Sequence, residues 1–291
     1  MSPLRPASVR DALRHAERLL ASREVAEPRW SARLLLEAAL GRDLAWLYAH
    51  PEERLRAAAL RRFTAWVRRR ARHEPDWYIL GKADFYGLEF AVNRSALIPR
   101  HETELLVDCA LELHPVESAA DACTGCGCVA IALAIHMPQA RIFATDYSAA
   151  VLRAARRNAH MHGVGERITF LKGQWLEPLR EQVDLIVANP PYVSSDEMKR
   201  LPREVRCYEP AAALHGGSDG MAGIAALIEQ APSRLKEGGS LILEIAPRRA
   251  RPALALARRT FPGASVELRK DYAGRSRLLL IHSPTSASSR G

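Results

Sequence analysis

No apolar run among the 291 residues approaches the roughly 18 that a membrane crossing needs, and no charged-then-apolar leader opens the chain. Export and membrane insertion are therefore not expected, and a cytoplasmic enzyme is the default reading. Cysteine is scarce. The five fall at 109, 123, 126, 128 and 207, three of them bunched as Cys123-x-x-Cys126-x-Cys128. Such bunching invites a metal or redox reading. No second Cys or His pair lies close by in sequence to complete a tetrahedral zinc site, so no metal is expected. At this length one large α/β domain with a smaller companion is expected, because single cores stop growing near roughly 250–300 residues.

Positive charge is in excess. The formal net charge is +9, and over residues 1–80 Lys and Arg outnumber Asp and Glu 16 to 10. The basic character thus belongs to the front of the chain. Arg61, Arg62, Arg68, Arg69, Arg70 and Arg72 cluster there. They suit an acidic protein or RNA, or form a solvated helix face.

The front reads as helices. Ser8 with Asp11 resembles a capping box, and Val9, Ala12, Leu13, Ala16, Leu19 and Leu20 repeat at helical spacing over residues 8–21. A second helix is expected from Pro28 to Gly41, with proline at a tolerated start and glycine at the stop. A third is expected from Pro51 to about His73, its apolar face built from Leu55, Ala59, Phe63, Trp66 and Val67. Together they predict a small bundle over residues 1–80. The aromatic stretch Phe85 to Val92 around Gly87 suggests a β-hairpin linker over 81–98.

Residues 99–283 alternate between strand-like and helix-like segments. Strands are expected at 119–123, 141–146, 167–172, 183–189, 240–245, 264–270 and 276–282, and helices at 128–137, 148–162, 220–236 and 248–260. This predicts an α/β fold with a mostly parallel, seven-stranded sheet and helices on both faces, an arrangement that resembles the Rossmann-like methyltransferase fold. The last two strands have no helix between them and should pair antiparallel at one edge. The polar tail 284–291 is expected to be disordered.

Asp121 to Gly127 falls where the first strand turns into its first helix, and glycines there let backbone approach a ligand at the carboxyl end of the sheet. The next strand ends in Asp146, an acid placed to accept hydrogen bonds from both hydroxyls of a ribose. A third glycine at the dinucleotide spacing is missing, since Ala130 stands there. A small nucleoside therefore fits better than a dinucleotide. The fourth strand runs into Asn189-Pro190-Pro191-Tyr192, the strongest signal in the chain. Two prolines fix the backbone and leave carbonyls free, Asn189 offers an acceptor oxygen and Tyr192 a flat face. A nitrogen bearing two hydrogens can be held by Asn189 and the Pro190 carbonyl and stacked on Tyr192.

With these segments in view the chain resembles the PrmC or HemK family, the glutamine amide methyltransferases that modify the Gly-Gly-Gln motif of bacterial and organellar peptide chain release factors. The resemblance covers nearly the whole length. It rests on the helical front, Glu74-Pro75 through Gly81, Phe85 to Phe90, Leu97-Ile98-Pro99-Arg100-His101-Glu102-Thr103-Glu104, Asn189 to Tyr192, Tyr208-Glu209-Pro210 and Ala213 to Gly220. It implies S-adenosyl-L-methionine as cofactor, held by Cys123, Thr124, Gly125, Cys126, Gly127, Asp146, Trp175 and Asn189. It implies Asn189, Pro190 and Tyr192 as catalytic residues and Asn189, Pro190, Pro191 and Tyr192 as substrate-binding ones. A release factor is the implied protein partner, recognised by the helical front; nucleic acid is the less favoured partner, and no membrane is involved.

Departures from the family pattern are local. Cys123 replaces its usual first loop glycine, Cys126 its Ser or Thr between the glycines, Gln174 the Asp before the Trp, and Ala246 the Gly after Leu-Glu-Ile. Cys at the first loop position also looks like the sibling family that methylates a glutamine of ribosomal protein L three. A nucleic-acid base amino-methyltransferase would use the same Asn-Pro-Pro-Tyr logic, and a binding module that lost the cofactor is a third reading. No His, Lys or carboxylate base lies within the proline motif. Orientation is therefore expected to carry much of the catalysis.

Overall fold

The computed structural model describes residues 8–113 and 115–284, so the tail expected over 284–291 falls, after Pro284, outside the described residues. The chain forms two compact units. One comprises the residues up to Lys82 together with Pro202–Tyr208, and the other comprises Ala83–Leu201 and the residues from Glu209 onward.

The first unit is helical: α1 (Val9–Ser22), α2 (Pro28–Leu40), α3 (Leu44–Ala49), α4 (Ala57–Arg70), α5 (Asp76–Leu80) and a short helix Arg203–Tyr208. Ser8 caps α1, its hydroxyl oxygen accepting from the Asp11 amide at 3.2 Å. The third helix differs from expectation. It begins at Ala57, not Pro51, and α3 precedes it, started by the Asp43 carboxylate accepting from the Trp46 amide at 2.8 Å. The reason lies in α1, whose first amides have no partners of their own. Val9 and Arg10 donate to the carbonyls of Glu53 and Pro51 at 3.0 and 2.9 Å, which holds the intervening segment as a turn.

Part of the arginine cluster is internal. Arg70 is only 4% exposed and meets Asp76 at 3.0 Å, Ser31 at 3.0 Å and Glu204 at 2.6 Å. A buried guanidinium without partners is strongly destabilising, which explains why a distant piece of chain carrying Glu204 belongs to this unit. Arg69 is likewise committed, to Glu74 at 2.8 Å. The surface patch expected from sequence therefore loses Arg69 and Arg70 and keeps Arg61, Arg62, Arg68 and Arg72 as exposed residues.

The second unit opens with the hairpin β1 (Lys82–Phe85) and β2 (Leu88–Ala91), all but its first residue inside this unit. Asn158 holds it: Oδ1 accepts from the Ala91 amide at 2.9 Å, and Nδ2 donates to the Ala91 carbonyl at 3.1 Å. After α6 (Glu104–Leu111) come β3 (Ser118–Ala122), α7 (Cys128–His136), β4 (Arg141–Asp146), α8 (Ala149–Met161), β5 (Ile168–Lys172) and β6 (Val183–Ala188). Then follow α9 (Ala222–Gln230), β7 (Leu235–Glu244), α10 (Ala250–Thr260), β8 (Ser265–Lys270) and β9 (Ser276–His282). The seven-stranded sheet runs β5-β4-β3-β6-β7-β9-β8. Its first five strands are parallel, and β9 lies antiparallel between β7 and the edge strand β8. The helix expected to reach 236 stops at Gln230, passing into a single 3-10 turn at Ala231–Ser233 that contains Pro232, which cannot continue an α-helix.

Candidate active site

Strand register assembles the site. Ala122 of β3 pairs with Thr145 of β4 on one side and with Ala188 of β6 on the other. The chain therefore leaves the sheet side by side at Cys123, Asp146 and Asn189, where strand order reverses and a crevice opens in folds of this kind. Ala188 also pairs with Leu243, which brings Glu244 beside Asn189.

The turn after β3 is left-handed at Cys123, Gly125 and Gly127, with φ of 62°, 57° and 88°. Glycine takes that conformation freely, whereas Cys123 carries a Cβ and holds strain of about 1–3 kcal/mol. Gly127 is needed for a second reason. It caps α7, and an added Cβ would lie 3.1 Å from Ala155 Cβ. Inside the turn, Asp121 accepts from the Thr124 hydroxyl at 2.7 Å and the Ala130 amide at 3.1 Å. Burial pushes its carboxyl up to about 7 against the pull of those two donors.

Asp146 accepts from the Ser148 amide at 2.9 Å and the Gly125 amide at 3.3 Å. Burial raises its pKa and both amides oppose that rise. Trp175, also left-handed at φ 52°, follows β5, and its carbonyl accepts from the Thr145 hydroxyl at 2.6 Å. The indole sits against Gly223, where an added Cβ would be 2.9 Å from Cη2. Only glycine leaves room for the ring there.

These elements enclose a cavity of about 650 Å³ lined by Cys123, Gly125, Asp146, Trp175, Asn189 and Pro191, with Gln174 beside them. Thr124, Cys126, Gly127, Pro190 and Tyr192, singled out from sequence, do not line it. Thr124 and Gly127 shape the loop as described. Cys126 packs against Ala96 and Val151, and its carbonyl accepts from Asn158 at 2.9 Å. Tyr192 turns inward, its hydroxyl donating to Glu244 at 3.0 Å; burial and the Glu244 charge raise its pKa.

Further walls come from Ser95–Leu97 and Pro210–Ala213, which the sequence reading did not assign to the pocket. Arg100 forms an ion pair with the buried Glu209, which also accepts from the Ile98 amide at 3.3 Å. That pair ties the two walls together, so the Ile-Pro-Arg and Tyr-Glu-Pro segments signalled it. Burial raises the Cys123 thiol, and the contact with Cys126 raises that of Cys128. Both are poor thiolates. Among the described residues no group of three or more His, Cys, Asp and Glu side chains is arranged to hold a metal ion, and no helix is long and apolar enough to cross a membrane.

The donor set fits a nucleoside that carries a charged sulfur: an acid at the end of β4 for ribose hydroxyls, close backbone at the loop, and an indole wall. Fold and site together define a methyltransferase that uses S-adenosyl-L-methionine.

A family profile described as the PrmC N-terminal domain matches residues 11–81, and one described as the methyltransferase small domain matches residues 101–204. The release factor glutamine methyltransferase of Moorella thermoacetica is 40% identical over 279 residues, covering 94% of this chain and 98% of its own. That of Geobacter sulfurreducens is 40% identical over 255 residues, covering 87% and 89%. A methyltransferase structure from Pyrococcus furiosus superposes with a TM-score of 0.54 at 19% identity, covering 69% of this chain and 91% of that one, and shows the fold. The chain belongs to the release factor glutamine methyltransferase family.

Proposed function

We propose that the chain transfers a methyl group from S-adenosyl-L-methionine to the side-chain amide nitrogen of the glutamine in the Gly-Gly-Gln motif of a peptide chain release factor. The observation that carries this reading is Asn189, which faces the cavity beside Asp146 and Trp175 with its own amide nitrogen tied inward. The cofactor supplies a methyl group on a positively charged sulfur, open to displacement by a nucleophile. Asp146 accepts from the ribose hydroxyls, and the turn from Cys123 to Gly127 gives the close backbone approach. Asn189 Oδ1, in the cavity wall, accepts a hydrogen of the glutamine amide.

An amide nitrogen is a weak nucleophile because its lone pair is delocalised into the carbonyl. Orientation is therefore the main lever, and holding reacting atoms near attack distance contributes roughly 7–11 kcal/mol. With no base in the motif, the proton leaves to water after transfer. A translation factor as substrate puts the reaction in the cytoplasm.

Residues 1–80 serve substrate recognition in this reading. A small amide-bearing loop offers little contact area, and affinity has to be added elsewhere. A second cavity of about 570 Å³ lies within the helical unit, and Arg23, Arg68, Arg72 and Arg203 line it. None of the four has an acidic partner within salt-bridge distance among the described residues. They suit an acidic face of the substrate protein.

Methylation of purified release factor, ribosomal protein L three and bare nucleic acid, followed by peptide mapping, tests the assignment. Methyl on the Gly-Gly-Gln glutamine is expected. Preference for the ribosomal protein or for nucleic acid would overturn it. In calorimetry Asp146→Ala should weaken S-adenosyl-L-methionine binding by about 1.5–3 kcal/mol, the worth of hydrogen bonds to a charged group.

A further inference from the structure

Beneath the Asn-Pro-Pro-Tyr turn runs a chain of four side chains. Asn189 Nδ2 lies 3.0 Å from Thr103 Oγ1, Thr103 Oγ1 lies 2.6 Å from Glu244 Oε2, and the Tyr192 hydroxyl lies 3.0 Å from Glu244 Oε1. Thr103 and Glu244 are 3% and 1% exposed, so water does not compete for these bonds. The members come from separate places: Thr103 from the 3-10 turn His101–Thr103 behind the Ile-Pro-Arg segment, Glu244 from the end of β7, Asn189 and Tyr192 from the turn after β6.

Counting hydrogens gives this chain a direction. An ionised carboxylate only accepts, and a hydroxyl has a single hydrogen to give. Tyr192 and Thr103 each direct theirs to Glu244, one to each oxygen. The Thr103 oxygen can then only accept, and its remaining neighbour, Asn189, must present the NH2 end of its amide. Amide nitrogen and oxygen are alike in shape, so an asparagine is oriented by its network and not by its outline. Burial raises the Glu244 carboxyl while Thr103, Tyr192 and the nearby Arg277 oppose that rise, and with the carboxylate ionised the network leaves one choice.

We infer that Thr103 and Glu244 are positioning residues that lock the Asn189 amide with its nitrogen inward and its carbonyl oxygen toward the cavity, the only orientation that can accept a hydrogen bond from an incoming amide NH2. The inference rests on the reading of Asn189 as the residue that holds the acceptor nitrogen. The flipped amide would set donor against donor and turn the acceptor nitrogen away from its line of attack. Glu244→Gln would loosen the lock without changing its shape. A glutamine NH2 can donate to Thr103, and the freed threonine hydrogen then points at Asn189 and favours the flip. Thr103→Val removes the link, while Thr103→Ser keeps it.

The test uses the full chain with release factor and S-adenosyl-L-methionine. Thr103→Val and Glu244→Gln should each lower kcat by about ten- to a hundredfold, as misplacement of a reacting group does. The cofactor Kd and the KM for release factor should stay within about threefold, and Thr103→Ser should keep kcat within about threefold of the parent. In an Asn189→Ala background the same two substitutions should cost no more than about twofold further, because they act through that side chain. An unchanged kcat in Thr103→Val, or an equal loss with and without Asn189, overturns the inference. If Glu244→Gln fails to fold by thermal melting, the Thr103→Val and Thr103→Ser pair decides alone. Full kcat in Asn189→Ala by itself would instead overturn the acceptor reading, and this inference with it.

Discussion

Asp121 shows how one residue can make stability depend on pH. Its carboxyl, ordinarily near 3.8, is pushed up to about 7 by burial, while Thr124 and Ala130 donate to it. Between those two values the native state holds a proton that the unfolded chain has lost. Stability from this group is therefore greatest at the acid end, falls as pH rises from 3.8 to about 7, and is level above that. Asp121→Asn keeps an acceptor for both donors and removes the titration. Thermal melts taken from about pH 4.5 to about pH 8 should show the parent losing ground to Asp121→Asn as pH rises. Parallel profiles would mean that the carboxyl is already charged in the native state below neutrality.

At the scale of elements, the hairpin, α8 and the glycine turn meet at one side chain. Asn158 is fully buried, accepts from the Ala91 amide, and donates to the carbonyls of Ala91 and Cys126. It thus couples β2 to the loop that faces the cavity. Asn158→Ala leaves buried backbone groups without partners, each worth about 1–3 kcal/mol. The midpoint of denaturant unfolding should drop accordingly, and S-adenosyl-L-methionine affinity should fall because the Cys126 carbonyl loses its anchor. Calorimetry that found reduced stability with unchanged affinity would confine Asn158 to holding the hairpin.

For the whole molecule, deletion of residues 1–80 is a blunt probe of substrate recognition, because Pro202–Tyr208 belongs to the same unit and Glu204 would lose Arg70. Charge reversal on the unpaired arginines is cleaner. Arg68→Glu with Arg72→Glu should raise the KM for intact release factor about tenfold or more at low salt, with the difference shrinking as salt is added. The KM for a short Gly-Gly-Gln peptide should stay within about twofold. An equal rise for both substrates would show that these arginines act on the helical unit's own fold and not on a partner.

Local information went far in this chain, for physical reasons. Helix caps, glycine stops and short apolar runs act within a few positions, so Ser8, Gly41, the seven strands and the turn at Cys123–Gly127 are legible from sequence. Asp146 and Asn189 were legible because each stands at the end of an apolar strand run. The third helix was misread at its start because the amides of α1, distant in sequence, recruit residues 51–54. Arg70 reads as surface from sequence because its partners Ser31 and Glu204 lie 39 residues before it and 134 after it. Thr103 and Glu244 carry no local mark of their link to Asn189, since a hydrogen bond depends on ångström-scale placement across three segments. The sequence by itself determined the order of elements and which strand ends are followed by glycine, acid or proline turns, because those follow from near neighbours along the chain. Only the tertiary structure decided which charges are buried, which walls close the cavity, and which way the Asn189 amide faces, because each depends on groups that folding alone brings together.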